Sequence, residues 1–144
     1  MNAHMRHLSA GVLVLLAMMG TALDAHHSHP AFDMTKRVSI IGTVEEIKFK
    51  QPHVLISLRT DDGTLYLVEW QGALNLRSQP QHVLPVAEPV TKDTIHIGDR
   101  LSVTGFIPND RERHELAVIV DLHRPSDGWR WTCDIPERRM MCGY

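Results

Sequence analysis

From residue 36 onward, hydrophobic and polar positions alternate in short runs, and this period of two is typical of β-strands. Turn-forming residues separate the runs. Gly42 is expected to mark a bulge or bend in the first strand. The last run is predicted to direct four apolar residues to one face, namely Leu116, Val118, Val120 and Leu122. The pattern predicts five strands, over residues 38–47, 53–59, 65–71, 100–107 and 115–123.

The hairpin between the second and third strands has two possible registers. A two-residue turn would pair Ile56 with Glu69 and so bring a carboxylate onto the apolar face. A three-residue loop with Gly63 in the left-handed conformation makes that face wholly apolar. We therefore predict the second register, which puts His53 diagonal to Glu69 on the opposite face. Its apolar pairs would be Val54–Trp70, Ile56–Val68 and Leu58–Tyr66.

The order of the predicted elements favours an OB-fold. The connection over residues 72–93 contains three prolines, which exclude a long helix, so a short helical turn around residues 74–78 or an irregular path is expected. Three strands, such a connection and two further strands indicate an all-β, OB-fold-like five-stranded barrel over residues 26–125. A small open β-sandwich or roll is the alternative. In the tail that follows, Trp129 and Trp131 are expected to cover an open barrel edge.

The first 25 residues have the three-part layout of a secretory signal peptide. Arg6 precedes an apolar run over residues 8–19, and small residues follow. This run is shorter than the roughly 20 apolar residues that cross a bilayer. We expect export to the periplasm or the medium, cleavage after Ala22 or Ala25, and no stable membrane anchor after processing.

The composition of the chain and the motifs that it lacks make two classes of function less favoured, namely nucleic-acid binding and enzymatic activity. The chain has 144 residues, 43% of them hydrophobic, with 15 basic against 17 acidic residues. Because no block of lysine and arginine is present, a nucleic-acid partner is not expected. The motifs of serine hydrolases, phosphate-binding loops, zinc proteases and dinucleotide-binding enzymes are missing from the sequence. An enzyme is therefore the least favoured class, although spacing alone leaves it open.

Both cysteines lie in the predicted C-terminal tail, residues 126–144. In an oxidising compartment, Cys133 and Cys142 predict one disulfide that staples this tail. Two free thiols are the alternative. In that case Met140, Met141 and Cys142 would offer soft ligands for Cu(I).

Histidines crowd the predicted mature N-terminus. If cleavage follows Ala25, His26 offers its α-amino nitrogen and its imidazole to one metal ion. If Ala25 stays attached, His27 becomes the third residue, and a square-planar nitrogen site can form. Such nitrogen donors favour copper, nickel or zinc over calcium or magnesium. We predict that His26, His27 and His53 converge on one Cu(II) or Zn(II) ion, with Glu69 as a fourth ligand or as an orienting group.

Five short segments stand out as motifs: His-His-Ser at 26–28, KRVSIIGTV at 36–44, Gln-Pro-His-Val at 51–54, Gly-Asp-Arg at 98–100 and Val-Thr-Gly at 103–105. Together they resemble a family of small exported bacterial proteins classed as a domain of unknown function. The chain departs from the family in having Gln51 in place of asparagine, His29 in place of an aromatic residue, and a longer proline-rich stretch over 79–91. The resemblance implies export and a small β-barrel-like fold, and it brings no established activity.

The sequence as a whole predicts an exported small binding module. Its most specific predicted ligand is a transition-metal ion, copper or zinc, held through the N-terminal histidines. An OB-like adaptor that recognises protein or glycan without a metal is the first alternative, and an uncharacterised enzyme is the second.

Overall fold

The computed structural model describes residues 31–133. The prediction that these residues form an all-β fold is confirmed, although the structure has seven strands where the pattern predicted five. The α-helix of this part has six residues, and no helix in it could cross a membrane. In chain order the elements are β1 (Phe32–Lys48), β2 (Val54–Thr60), β3 (Leu65–Trp70), α1 (Ala73–Ser78), a 3-10 turn (Pro80–His82), β4 (Val83–Leu84), β5 (Arg100–Pro108), β6 (Glu115–Arg124) and β7 (Trp129–Thr132).

The strands pair in the order β3-β2-β1-β5-β6-β7-β4. Neighbours in this order are antiparallel. In addition, β3 pairs with β6 in parallel, with Leu67 opposite Glu115 and Val68 opposite Leu116. This pairing joins the two ends of the run β3-β2-β1-β5-β6, whose members are the five predicted strands. The short strands β7 and β4 continue from the other edge of β6.

The predicted register of the β2–β3 hairpin is confirmed. Gly63 has a φ of 86°, and the amide of Thr60 bonds to the carbonyl of Thr64 at 2.9 Å. The three-residue loop therefore has the left-handed glycine that it requires. The ladder pairs Val54 with Trp70, Ile56 with Val68 and Leu58 with Tyr66, and the fully buried members of these pairs are Val54, Ile56, Leu58, Val68 and Trp70.

The bulge of β1 lies at Glu45, because the register with β2 shifts between Val44 and Glu46. The prediction of a bulge at Gly42 is therefore wrong. Gly42 instead allows close approach of the two strands, since a Cβ at this position would lie 2.5 Å from the carbonyl oxygen of Arg59.

The predicted alternation along β6 fails at Val118. This residue has a φ of 50°, and the register with β5 changes from Thr104 opposite Asp121 to Phe106 opposite Ala117. Two extra residues on β6 rotate the strand locally, so the apolar face does not keep a period of two. The fully buried residues of β6 are Leu116, Ile119 and Leu122.

Strand β7 lies within the segment that the sequence predicts as a tail. It pairs with β6, Leu122 opposite Trp131, and with β4, Val83 opposite Trp131. Trp131 is fully buried, and Trp129 is 5% exposed. Both tryptophans therefore belong to the hydrophobic core.

Candidate functional site

His53 and Glu69 meet on the outer face of the β2–β3 hairpin. His53 directly precedes β2, and Glu69 pairs with Leu55, so the two side chains are diagonal neighbours as predicted. Nδ1 of His53 lies 3.4 Å from Oε1 of Glu69 and 3.3 Å from the carbonyl oxygen of Trp70. Both side chains are mostly buried, at 26% and 17% exposure.

Nδ1 of the His53 ring faces two acceptors, one from Glu69 and one from the Trp70 backbone. In a neutral ring, two acceptors at Nδ1 favour the tautomer that carries its hydrogen on this nitrogen. Both distances are long for hydrogen bonds. Histidines that bind metals commonly have a carboxylate or carbonyl at the other ring nitrogen in this way, so Glu69 is placed to orient the ring.

The pair lines a groove of about 290 Å³. Leu55 and Leu67 supply its apolar part, and Leu67 is 40% exposed. The lining residues come from the β1–β2 loop, from β2 and β3, from the β5–β6 loop and from the start of β6. The complete lining is Lys50, Pro52, His53, Leu55, Leu67, Glu69, Arg113 and Glu115.

The groove is close to electrically neutral. Lys50 and Arg113 are its cations, and Glu69 and Glu115 are its carboxylates. The guanidinium of Arg113 donates to both carboxylate oxygens of Glu115, at 2.8 and 2.6 Å. These hydrogen bonds raise the pKa of Arg113 above its ordinary value. Arg113 therefore neutralises Glu115 at one end of the groove.

The loop that carries His53 is held against α1. The amide of Ala73 donates to the carbonyl of Lys50 at 3.3 Å, and the guanidinium of Arg77 lies 5.5 Å from the ring centre of Phe49. Gly72 is required here, because a Cβ at this position would collide with the carbonyl oxygen of Pro52. These contacts fix the backbone of the β1–β2 loop, which carries the His53 side chain.

The predicted N-terminal ligands, His26 and His27, lie outside the described residues. The described chain begins at Ala31, whose carbonyl accepts a 3.0 Å hydrogen bond from the amide of Asn109. Two residues later, the carboxylate of Asp33 accepts a 2.8 Å bond from Arg111. Asn109 and Arg111 belong to the β5–β6 loop, residues 109–114. The chain therefore enters β1 beside the loop that supplies Arg113 to the groove.

Comparison with known proteins identifies the family. The model of a family described as "Family of unknown function (DUF6152)" matches residues 13–117. The chain belongs to this DUF6152 family. Neither the curated proteins nor the solved structures contain a match. The matched residues include His53 and Glu69, and they end before β7 and before both cysteines.

The remaining described histidines do not join this site. His82 is 3% exposed, and its Nδ1 lies 2.8 Å from the carbonyl oxygen of Thr132. Its contact with the Trp131 ring makes it part of the packing of β7, a role that no local pattern in the sequence indicated. Within residues 31–133, no group of three or more histidine, cysteine, aspartate or glutamate side chains could hold a metal ion.

A second groove, of about 600 Å³, lies beside Arg124. The guanidinium of Arg124 binds the carboxylate of Asp99 and the carbonyl of Thr94, and it also pairs with Asp127. These bonds raise the pKa of Arg124 and lower that of Asp127. Sequence reasoning did not find this cluster, because its members come from two distant segments, residues 94–99 and 124–127. Arg124 is paired with Asp99 and Asp127, so we interpret this cluster as one that stabilises the fold.

Cys133 is 4% exposed, and its Sγ lies 3.5 Å from the carbonyl oxygen of Val120. Cys142 lies outside the described residues. The pairing of the two cysteines stays a prediction.

Proposed function

We propose that this DUF6152 protein is an exported binding module with an OB-type barrel, and that the groove around His53 and Glu69 is its ligand site. The closing contact between β3 and β6 and the helical connection after β3 support the barrel assignment. OB-folds bind their ligands on the face of their second and third strands, between the loops that flank this face. The groove has the same position, since the β1–β2 loop, β2, β3 and the β5–β6 loop line it.

A transition-metal ion, Cu(II) or Zn(II), is the proposed ligand. The observation that carries this proposal is the placement of His53 Nδ1 beside a carboxylate and a carbonyl, the groups that commonly face the non-coordinating nitrogen of a metal-binding histidine. His26 and His27 supply further nitrogen ligands, and Glu69 orients His53. The five-residue link from His26 to Ala31 spans about 17 Å when extended. Ala31, the last residue of this link, accepts a hydrogen bond from Asn109 of the β5–β6 loop, which bounds the groove.

Metal titration of the processed, untagged protein tests this proposal. His53→Ala should abolish saturable binding at the groove, and Glu69→Gln should weaken it by roughly 10- to 100-fold, as the loss of an outer-shell partner does. His96→Ala is the matched control, because this side chain is 66% exposed and lies outside the groove. Affinity should weaken as the pH falls through the histidine range near 6.5, since a protonated ring cannot bind metal. Unchanged affinity in His53→Ala would reject the site.

A metal-free adaptor for protein or glycan is the second candidate. The observation that favours it is the apolar surface on the outer face of β3, where Leu65 and Leu67 are 41% and 40% exposed. Exposed apolar side chains rimmed by charges are typical of recognition surfaces. Absence of any saturable metal site, together with loss of partner binding in Leu67→Asp, would favour this candidate.

A further inference from the structure

We infer that Trp131 of β7 is a positioning residue for the groove, because its contact with Trp70 fixes both groups that face Nδ1 of His53. This inference rests on the proposed function of the groove. Trp131 is not one of the residues that line the groove. Its effect on the site is transmitted through β3.

The two indole rings form an edge-to-face pair inside the core. Their centroids are 5.2 Å apart with an interplanar angle of 81°, and both side chains are fully buried. Within the described part of the chain, neither indole Nε1 has a hydrogen-bond partner. Packing is therefore what determines the orientation of the Trp70 ring.

Trp70 is directly connected to the site. Its own carbonyl oxygen lies 3.3 Å from Nδ1 of His53, and the preceding residue is Glu69, whose carboxylate lies 3.4 Å from the same atom. Because Glu69 and Trp70 are adjacent residues of β3, a shift of the backbone at Trp70 is expected to move both acceptors. The His53 ring takes its orientation from these acceptors.

Strands other than β3 pair with the backbone of Trp131. The ladder fixes its backbone between Leu122 of β6 and Val83 of β4. The ring of His82 lies 5.8 Å from the Trp131 ring, and Nδ1 of His82 lies 2.8 Å from the carbonyl oxygen of Thr132. A strand beyond the residues matched to DUF6152 thus supports a side chain at the end of β3.

Trp131→Phe tests the inference, with Trp129→Phe as the matched control. Trp129 lies on the same strand and is also buried, but its ring contacts the guanidinium of Arg124 at 5.6 Å. Two measurements are made on the processed full chain: the Zn(II) dissociation constant, and the ring ¹⁵N chemical shifts of His53 without metal. Urea unfolding checks that each variant is folded. Trp131→Tyr, whose six-membered ring carries an additional hydroxyl group, replaces Trp131→Phe if that variant does not fold.

We expect Trp131→Phe to weaken Zn(II) binding by about five- to tenfold, near the lower end of the effect of losing an outer-shell partner. The His53 ¹⁵N shifts should move as the hydrogen on Nδ1 loses its aligned acceptors, while both readouts stay unchanged in Trp129→Phe. Unchanged His53 shifts in a folded but destabilised Trp131 variant would overturn the inference and leave the proposed function standing. If the wild-type protein binds no metal, the proposed function fails, and the His53 shifts alone decide whether Trp131 positions the ring.

Discussion

Two leucines of the β2–β3 hairpin should respond very differently to truncation. Leu58 is fully buried on the inner face, whereas Leu67 is 40% exposed on the outer face. Both lie in paired strand positions, so replacement by alanine changes the strand propensity equally. The difference between Leu58→Ala and Leu67→Ala therefore isolates burial.

The expected magnitudes follow from the exposures. Truncating a fully buried leucine removes its transfer free energy and leaves a cavity, at a cost of about 3 to 5 kcal/mol. Truncating Leu67 should cost less than about 1 kcal/mol, because much of this side chain is in water in the folded protein. A difference of about 2 kcal/mol or more corresponds to roughly 8 to 16 °C in Tm for a domain near 100 residues.

Urea unfolding followed by far-UV circular dichroism measures both free energies, and an unchanged m-value shows that the denatured state is comparable. Leu65→Ala, at 41% exposure, is a second exposed control. If Leu67→Ala were as destabilising as Leu58→Ala, the register of the hairpin, and with it the pairing of His53 with Glu69, would be refuted.

Four further predictions concern other parts of the chain. Hydrogen bonds, first that from the Thr60 hydroxyl, lower the pKa of Asp62 to about 2. The ionised Asp62 carboxylate therefore stabilises the fold above the ordinary pKa of 3.8, and this stabilisation is lost as the pH falls towards 2. Asp62→Asn should flatten the pH dependence of Tm between these two values. Arg124→Met leaves two carboxylates and a carbonyl without their donor and should cost about 2 kcal/mol by urea unfolding. Thiol labelling of the unfolded, unreduced protein should find no reactive thiol; two reactive thiols would contradict the disulfide between Cys133 and Cys142. The exported protein should lack its first 22 or 25 residues, and an intact mass that retains them would contradict processing.

The β2–β3 hairpin was predictable residue by residue, because its information is local. Only the register that uses Gly63 as a left-handed residue makes one face apolar, and this register alone brings His53 next to Glu69. A short-range pattern thus located the centre of the candidate site.

The failures have a common physical origin in contacts between distant segments. Val118 has a positive φ, which a β-branched residue rarely adopts, so no local propensity indicates it. The parallel pairing of Leu67 with Glu115 joins segments almost fifty residues apart and brings Arg113 to the groove. Strand β4 has two residues, too few for a detectable alternation. Lys50, Arg113 and Glu115 therefore could not be assigned to the site from the sequence.

The position of His53 also separates a folded metal site from a histidine-rich segment that merely collects metal. A ligand that binds only the native state stabilises it by RT ln(1 + [L]/Kd), about 2.7 kcal/mol when the free ligand is at 100 times Kd. If metal were held by the side chains of residues 26 and 27 alone, equally in the native and unfolded chains, it would leave the unfolding equilibrium nearly unchanged. His53 keeps its alignment with Glu69 and the Trp70 carbonyl only while β2 and β3 are paired. A rise of Tm with metal concentration that is lost in His53→Ala would therefore support the proposed site at His53, because binding there would depend on the fold.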